Sequence, residues 1–551
     1  MKLIAENTFP RSISVATVAA AAILFILWSG PGLDMYPLDD GWVSFSSNNL
    51  DFQWRDLFFG NSRELRYVPY LIARALEDNG FTVINSILIA LDLAVFAGLF
   101  AVFYLLLEKR SVPAFVAAGL VMLFPGDPTM FWLGAFGVNI SFALLTWATY
   151  CNLRAIDRKS VGYQACALLL LYCGIRTYSG YVFLPLIFIP YYVFARCGRD
   201  GLLRGLVRYS LPQLVIFSIA LAPTLLGLAA GSGREGHVAS LELSSAMAGY
   251  KTMFANLGYG WLLRLGATEG ISIPSAVGAL AVFTGAVLAL GSAQPDKPAG
   301  ATSHRSPAML VITGFAVIML CYLPFSVSDV RFNAGRALMG SRVGFFLILV
   351  VVGDWIYRKL PRSRYVSSVF SAIAIGTLTV FALGSLSLFQ ARHRQSLFQR
   401  VFLADLAAVV PCPPKRPIVI VAGPREFGRR TGGSMLVNRP RFPIRTMYAN
   451  SRVNAYVVSN FMLSRNGRLD PSDGTVVYKG VDLGSEPLLL RYSFASGFRH
   501  VMRVSVRVGH ERQRATIRGT KLPAKACSAT PLMHSLLDDR DTYLKALDLH
   551  R

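Results

Sequence analysis

Up to about residue 388 the apolar residues of this chain gather into long runs, and beyond it they disperse. The runs fall at 13–29, 83–107, 112–124, 131–150, 161–173, 180–194, 211–230, 271–290, 309–325, 343–357 and 366–388. That makes about eleven segments, most near the roughly 20 residues that a helix needs to cross a bilayer. Three of them (112–124, 161–173 and 180–194) are short for a crossing. Each adjoins a loop holding Pro, Gly or charge, as in Phe-Pro-Gly-Asp-Pro-Thr (124–129) and Gly-Ile-Arg-Thr-Tyr-Ser-Gly (174–180). Interrupted helices survive at membrane depth only where protein or water satisfies the freed backbone groups. A water-accessible cavity near those loops is therefore expected, local bilayer thinning being the alternative.

After residue 390 the pattern changes. Val501–Val508 alternates with a period of two, as a half-buried strand does. Pro417–Val421, Ala455–Val458, Thr475–Tyr478 and Leu488–Tyr492 read as further strands, and Leu532–Leu549 as a closing helix. The expected fold class is an all-α polytopic membrane bundle over 1–390, with a strand-rich soluble α+β domain over 391–551.

Composition agrees with a membrane class: 551 residues, 53% hydrophobic, mean hydropathy +0.46. The formal net charge is +24 and the pI about 10.0. Part of that excess is topological. Lys109–Arg110, Arg154/Arg158/Lys159, Arg196/Arg199/Arg204/Arg208, Lys297/Arg305 and Arg358/Lys359/Arg362/Arg364 fall on every second loop, the positive-inside pattern. The amino terminus is then inside and the carboxyl-terminal domain outside. Outward loops are 31–80, 125–130, 176–180, 231–270 and 326–341. Gly30-Pro31-Gly32 makes a poor signal-cleavage site, so the first run is read as an uncleaved span. Residues 391–551 hold 27 Lys and Arg against 11 Asp and Glu. An outward basic domain meets anionic headgroups or acidic glycans, and nucleic acid is not an expected partner.

The candidate chemistry lies on the outward loops. Asp39 and Asp40, in Tyr-Pro-Leu-Asp-Asp-Gly-Trp (36–42), stand at the head of the first such loop. A carboxylate there can take the proton of an acceptor hydroxyl, and its neighbour raises its pKa by repulsion. Helix capping is the plainer use of the same residues. Arg63, Arg66, Arg176, Arg331, Arg336 and Arg342 sit on the side that topology does not ask to be basic. Guanidinium forks suit a phosphate leaving group; lipid headgroups or local pairing, as with Glu64, would also explain them. Asp127 and Tyr178 complete the substrate-binding set. Asp92, inside the second run, is read as a buried hydrogen bond to a neighbouring helix.

Several apparent motifs carry no weight. Gly231–Gly236 matches G-x-G-x-x-G but lacks a βαβ context. The seven histidines and seven cysteines show no metal-site spacing, so no metal ligands are assigned. The need for a divalent cation, magnesium or manganese, stays open. Cys412 and Cys527, the two thiols placed outside, are expected to form a disulfide.

The acidic pair after the first span, with many spans and an outward carboxyl-terminal domain, resembles the GT-C superfamily of membrane glycosyltransferases. In several branches of that family the pair is Asp-Glu, so Asp39-Asp40 leaves open which carboxylate is catalytic. The resemblance implies a hexosyl- or pentosyltransferase of the bacterial inner membrane, with its carboxyl-terminal domain in the periplasm. Its donor would be a polyprenyl-phosphate-linked sugar and its acceptor a cell-envelope glycan or lipid. One Asp would act as base or acceptor-binding group, and the outward arginines would hold the lipid phosphate. Two other readings remain: an O-antigen polymerase or ligase, which needs no acidic pair, and a lipid-glycan flippase, which predicts pseudo-repeats and midplane charge.

Overall fold

The computed structural model describes residues 2–29, 33, 35, 68, 72, 75–76, 81–125, 136–229, 243–262, 271–292, 306–326, 337–361, 363–422, 444–445, 447–448, 452–458, 467–469, 476–478, 481–482, 487–493, 496–508, 513–522 and 530–547. The described residues within Met1–Gly32, Phe52–Val68 and Ser86–Gln390 form one compact unit. Those within Leu33–Asp51, Pro69–Asn85 and Ala391–Arg551 form a second.

The first unit is helical: α1 (Lys2–Trp28), α2 (Phe81–Leu106), α3 (Ser111–Met122), α4 (Phe136–Arg158), α5 (Val161–Thr177), α6 (Phe183–Gly205), α7 (Leu211–Ala229), α8 (Leu243–Ala255), α9 (Ile273–Ser292), α10 (Pro307–Ser326), α11 (Met339–Lys359) and the start of α12 (Arg364–Val409). Seven described helical runs are long and apolar enough to cross a membrane: Arg11–Trp28, Phe81–Leu106, Phe183–Pro223, Ile273–Ser292, Pro307–Ser326, Met339–Lys359 and Arg364–Val409. The protein is thus a multi-pass membrane protein. Large apolar side chains face outward on these runs, among them Ile273, Leu203 and Leu288, as expected where lipid is the solvent.

The count departs from the expected eleven for identifiable reasons. Ser111–Met122 and Val161–Thr177 are apolar but short. α4 holds Asn139, Thr146, Thr149 and Asn152 in buried positions, which lowers its hydropathy. α6 and α7 run together through a π-helical turn at Leu206–Ser210, so the basic stretch expected as a loop is helical. Its one break is Gly198, at φ 65 and ψ −170, a conformation essentially reserved to glycine. α8, with a π-helical turn at Asn256–Gly260, occupies part of what was expected as an outward loop.

Ends that share a predicted side meet. Arg110 pairs with Asp354, and Arg358 reaches Asp354 at 2.9 Å and Glu108 at 3.6 Å. Arg196 pairs with Asp157 at 2.8 Å, and the Tyr192 hydroxyl donates to the same carboxylate at 2.9 Å. α10 and α11 cross at small residues. A Cβ built on Gly314 would lie 2.9 Å from the Gly344 carbonyl oxygen, and one on Gly344 would strike the Gly314 carbonyl. Close backbone approach of this kind drives helix association where lipid removes the hydrophobic effect. Ser341 Oγ adds a bond across the pair, donating to the Ile318 carbonyl at 3.0 Å.

The second unit contains a four-stranded sheet ordered β2 (Ala455–Val458), β1 (Ile418–Ala422), β6 (Leu488–Ser493), β7 (Gly497–His500). β1 pairs parallel with both neighbours, and β6 pairs antiparallel with β7. Ile418, Val419 and Ile420 are all fully buried, which is why this strand reads as a continuous apolar run. β3 (Gly467–Leu469), β4 (Val476–Tyr478) and β5 (Val481–Asp482) make a small antiparallel sheet, and β8 (Arg503–Val508) pairs with β9 (Gln513–Arg518). The end of α12 packs on the main sheet, with Phe402 edge-on to Tyr492 and Phe498 at 5.0 Å each. The expected closing helix is two, α13 (Pro531–Asp538) and α14 (Arg540–Ala546), separated at Asp539. Arg540 of α14 clamps the buried Asp405 of α12 with two contacts of 2.9 Å. Cys412 is disulfide-bonded, while Cys151, Cys166, Cys173, Cys197 and Cys321 are free. Cys527, its expected partner, lies outside the described residues.

Tyr448 supplies a pH handle in this unit. Its hydroxyl donates to the Val410 carbonyl at 2.6 Å, and burial pushes the phenol above its ordinary value. Because only the neutral form is accommodated, its contribution is complete below about pH 10 and falls as pH rises further. Denaturant unfolding of Tyr448→Phe should lose about 1 kcal/mol at pH 8, and its stability should decline less than that of the wild type between pH 9 and 11.

Candidate active site

Of the residues singled out, Asp39, Asp40, Arg63, Arg66, Asp127, Arg331 and Arg336 lie outside the described residues. Arg176, Tyr178, Arg342 and Asp92 are described, all in the first unit.

Arg176 stands in the last turn of α5 and is only 7% exposed. The helix end that carries it is fixed from α4. Ser141 Oγ lies 2.9 Å from the Gly174 carbonyl and 2.8 Å from that of Tyr178, sharing its proton between them. The Gly174 carbonyl also accepts from the Tyr178 amide at 3.0 Å, so the hydroxyl adds a second bond there and ties the helix end to the Tyr178 carbonyl just beyond it. The chain then turns through a 3₁₀ segment, Ser179–Tyr181. Tyr178 stacks on Phe325 of α10, with ring centroids 6.4 Å apart and an interplanar angle of 28°. Tyr181, fully buried, touches Phe142, Tyr178 and Phe325 at 5.6–5.7 Å. Tyr322, one helical turn before Phe325, meets Tyr250 of α8 at 5.2 Å, and the Tyr250 hydroxyl donates to the Met319 carbonyl at 2.9 Å. These rings form an aromatic wall across the ends of α4, α5, α8 and α10.

The first turn of α11 lies against that wall, since a Cβ on Gly340 would come 3.0 Å from Tyr181 Cδ1. Arg342 follows two residues later. It was expected on the outward side just beyond the 326–341 loop, and it is a fully buried residue in the first turn of α11. Its guanidinium carbon sits 5.9 Å from the centre of the Phe124 ring, inside cation–π range. Its charge acts on Asp92 of α2, also fully buried.

For Asp92 the expected hydrogen bond to a neighbouring helix is not found: neither carboxylate oxygen has a hydrogen-bond partner among the described residues. The carboxylate borders a small apolar cleft. Its other walls are Ala20, Ile23, Leu24 and Leu27 of α1, Phe96 of α2, Phe115, Met122 and Leu123 around α3, and Phe283 of α9. An ionisable group buried in an apolar helix is costly and rare, and marks a candidate functional position.

Two parts of this arrangement escape a sequence reading. The aromatic wall leaves a faint trace, since Tyr178/Tyr181 and Tyr322/Phe325 each repeat at i, i+3. The association of Asp92 with Arg342 has no local signal, because about 250 residues separate them.

No family model and no curated protein matches this chain. Among solved structures it is similar to the arabinofuranosyltransferase AftD from Mycobacteria, at 14% identity and TM-score 0.41, over 92% of this chain. The chain spans 40% of the length of that AftD chain. It is also similar, at 14% identity, to ArnT from Cupriavidus metallidurans, over 80% of this chain and 85% of that one. The TM-score is 0.35 for the apo state and 0.32 for the form bound to undecaprenyl phosphate. Likeness at this level assigns neither residue roles nor a substrate to the present chain.

Proposed function

We propose that this protein is a membrane glycosyltransferase that moves a sugar from a polyprenyl-phosphate carrier to a cell-envelope glycan or lipid. In this reading Asp39 and Asp40 supply the base and the acceptor-positioning group. Arg176 and Arg342, with Arg63, Arg66, Arg331 and Arg336, hold the lipid phosphate, and Tyr178 and Asp127 line the sugar or acceptor. The chain runs from a cytoplasmic amino terminus to a periplasmic carboxyl-terminal unit, with residues 1–390 as the membrane domain and 391–551 as the soluble one.

The observation that supports this most is the burial of Arg342. A guanidinium cannot shed its charge, so burying it completely in the first turn of an apolar helix is costly and makes it a candidate for function. Its fork geometry suits a phosphate oxygen pair. The chemistry needs such a group: a carboxylate takes the acceptor hydroxyl proton, and the oxygen attacks the anomeric carbon. The bond to the carrier phosphate then breaks, and the phosphate leaves with the electron pair. A fixed cation stabilises the charge that grows on the leaving oxygen.

The test is transfer from a labelled polyprenyl-phosphate sugar in proteoliposomes. Asp39→Asn and Asp40→Asn should both insert normally, and at least one should lose transfer by roughly 10²–10⁴-fold. Full activity in both would overturn the assignment, as would a tag between the first two spans that reports from the cytosol.

A further inference from the structure

The hairpin of β8 and β9 carries its charge in an unfavourable register. Arg503 lies opposite Arg518, and Arg507 opposite Arg514; on the main sheet Arg491 lies opposite Arg499. Like charges directly across a strand pair repel. Alternation places Val504, Val506, Ala515 and Ile517 on the face packed with Val419, Val458 and Leu489. Arg503, Arg514 and Arg518 therefore belong, with Ser505 and Thr516, to the opposite face of the ribbon. Arg503, Arg514 and Arg518 are exposed, and none of them joins a salt bridge among the described residues. That register destabilises the ribbon unless something anionic covers it. At the hairpin's open end, where the Gly519 amide donates to the Met502 carbonyl at 2.8 Å, Met502 is 47% exposed and Leu522 36%.

We propose that the exposed face of the β8–β9 hairpin is a docking surface for anionic phospholipid headgroups. Three considerations favour a lipid surface. The arginines complement phosphates in charge and hydrogen-bonding geometry. Clustered basic residues gain attraction from each headgroup they meet. This unit is also covalently joined to membrane spans, so a bilayer surface is always at high effective concentration. The exposed Met502 and Leu522 suit the apolar margin of a headgroup layer. Among its described residues the face has no aromatic side chain for stacking bases, as single-stranded nucleic acid requires.

The test uses the full chain in phosphatidylcholine nanodiscs, mixed with vesicles of phosphatidylcholine alone or with added phosphatidylglycerol, and scored by flotation. The anionic vesicles should carry at least about tenfold more protein than the neutral ones, and high salt should abolish the difference. Arg503→Gln/Arg514→Gln/Arg518→Gln should float no better than with neutral vesicles. Lys415→Gln/Arg416→Gln/Lys545→Gln, which removes the same charge elsewhere on the unit, should float as the wild type does. Equal loss in both triple variants would reduce the effect to net charge and overturn the proposal, as would equal flotation of the wild type on both vesicles. Hydrogen exchange on the wild type guards against misfolding of a variant: β8 and β9 amides should slow about threefold with anionic vesicles while β1 is unchanged. Unchanged exchange in the hairpin, or slowing only on addition of an acidic polysaccharide, would equally overturn it.

Discussion

Arg342→Met is expected to lower transfer from the lipid-linked donor by roughly 10²–10³-fold, the usual loss when a preorganised charge is removed from a transition state. Arg342→Lys should recover only part of it, because an ammonium keeps the charge and loses the planar fork. A loss of activity alone would not separate catalysis from folding. Removing one of two buried groups that compensate each other also destabilises the fold, and Asp92 is a fully buried acid of the same unit. The double variant Asp92→Asn/Arg342→Met resolves this. If Arg342 serves only to offset Asp92, the double variant should regain both thermal stability and transfer. If it holds the carrier phosphate, the double variant should regain stability and remain inactive. The second outcome is the expected one; full recovery of transfer would remove Arg342 from the site.

Legibility in the sequence followed how local the cause was. Ala455–Val458 is a strand at the expected bounds, because a β-branched, apolar stretch between polar residues has few other uses. The run 366–388 reads as a span ending near 390, yet α12 continues to Val409. Nothing in Ala-Arg-His-Arg-Gln-Ser breaks a helix; only hydropathy changes there, and the chain stops being helical just before Pro411, Pro413 and Pro414. Arg196, Arg199, Arg204 and Arg208 look like a loop because topology predicts charge at a membrane face, and charge is compatible with helix. Of the residues proposed for the site, Arg176 and Tyr178 stand out in the sequence from their place beside a broken apolar run. The burial of Arg342 was not, since it depends on how α11 packs on α10 and on the Phe124 ring, neither of which is written near residue 342.

Gly344→Leu should prevent the α10–α11 pair from forming, and even Gly344→Ala should be costly. A Cβ at this position meets the Gly314 carbonyl and lies 2.9 Å from the Ile318 amide nitrogen. Both are backbone, so no side chain can rotate away, and the helices must separate. Overpacking in a filled interior typically costs about 1–3 kcal/mol. Here separation would also stretch the Ser341–Ile318 bond and displace the first turn of α11, where Gly340 rests against Tyr181 and Cys321. A drop in thermal stability of the detergent-solubilised protein should therefore accompany a loss of transfer. Gly353→Ala on the same helix is the matched control. An added Cβ there meets nothing within 4 Å, and alanine favours helix over glycine by roughly 1 kcal/mol, so that variant should be as stable as the wild type or more so. If Gly344→Ala and Gly353→Ala melted alike, close backbone contact could not be what joins α10 to α11. Arg342, two residues from Gly344, would then need some other reason for its burial.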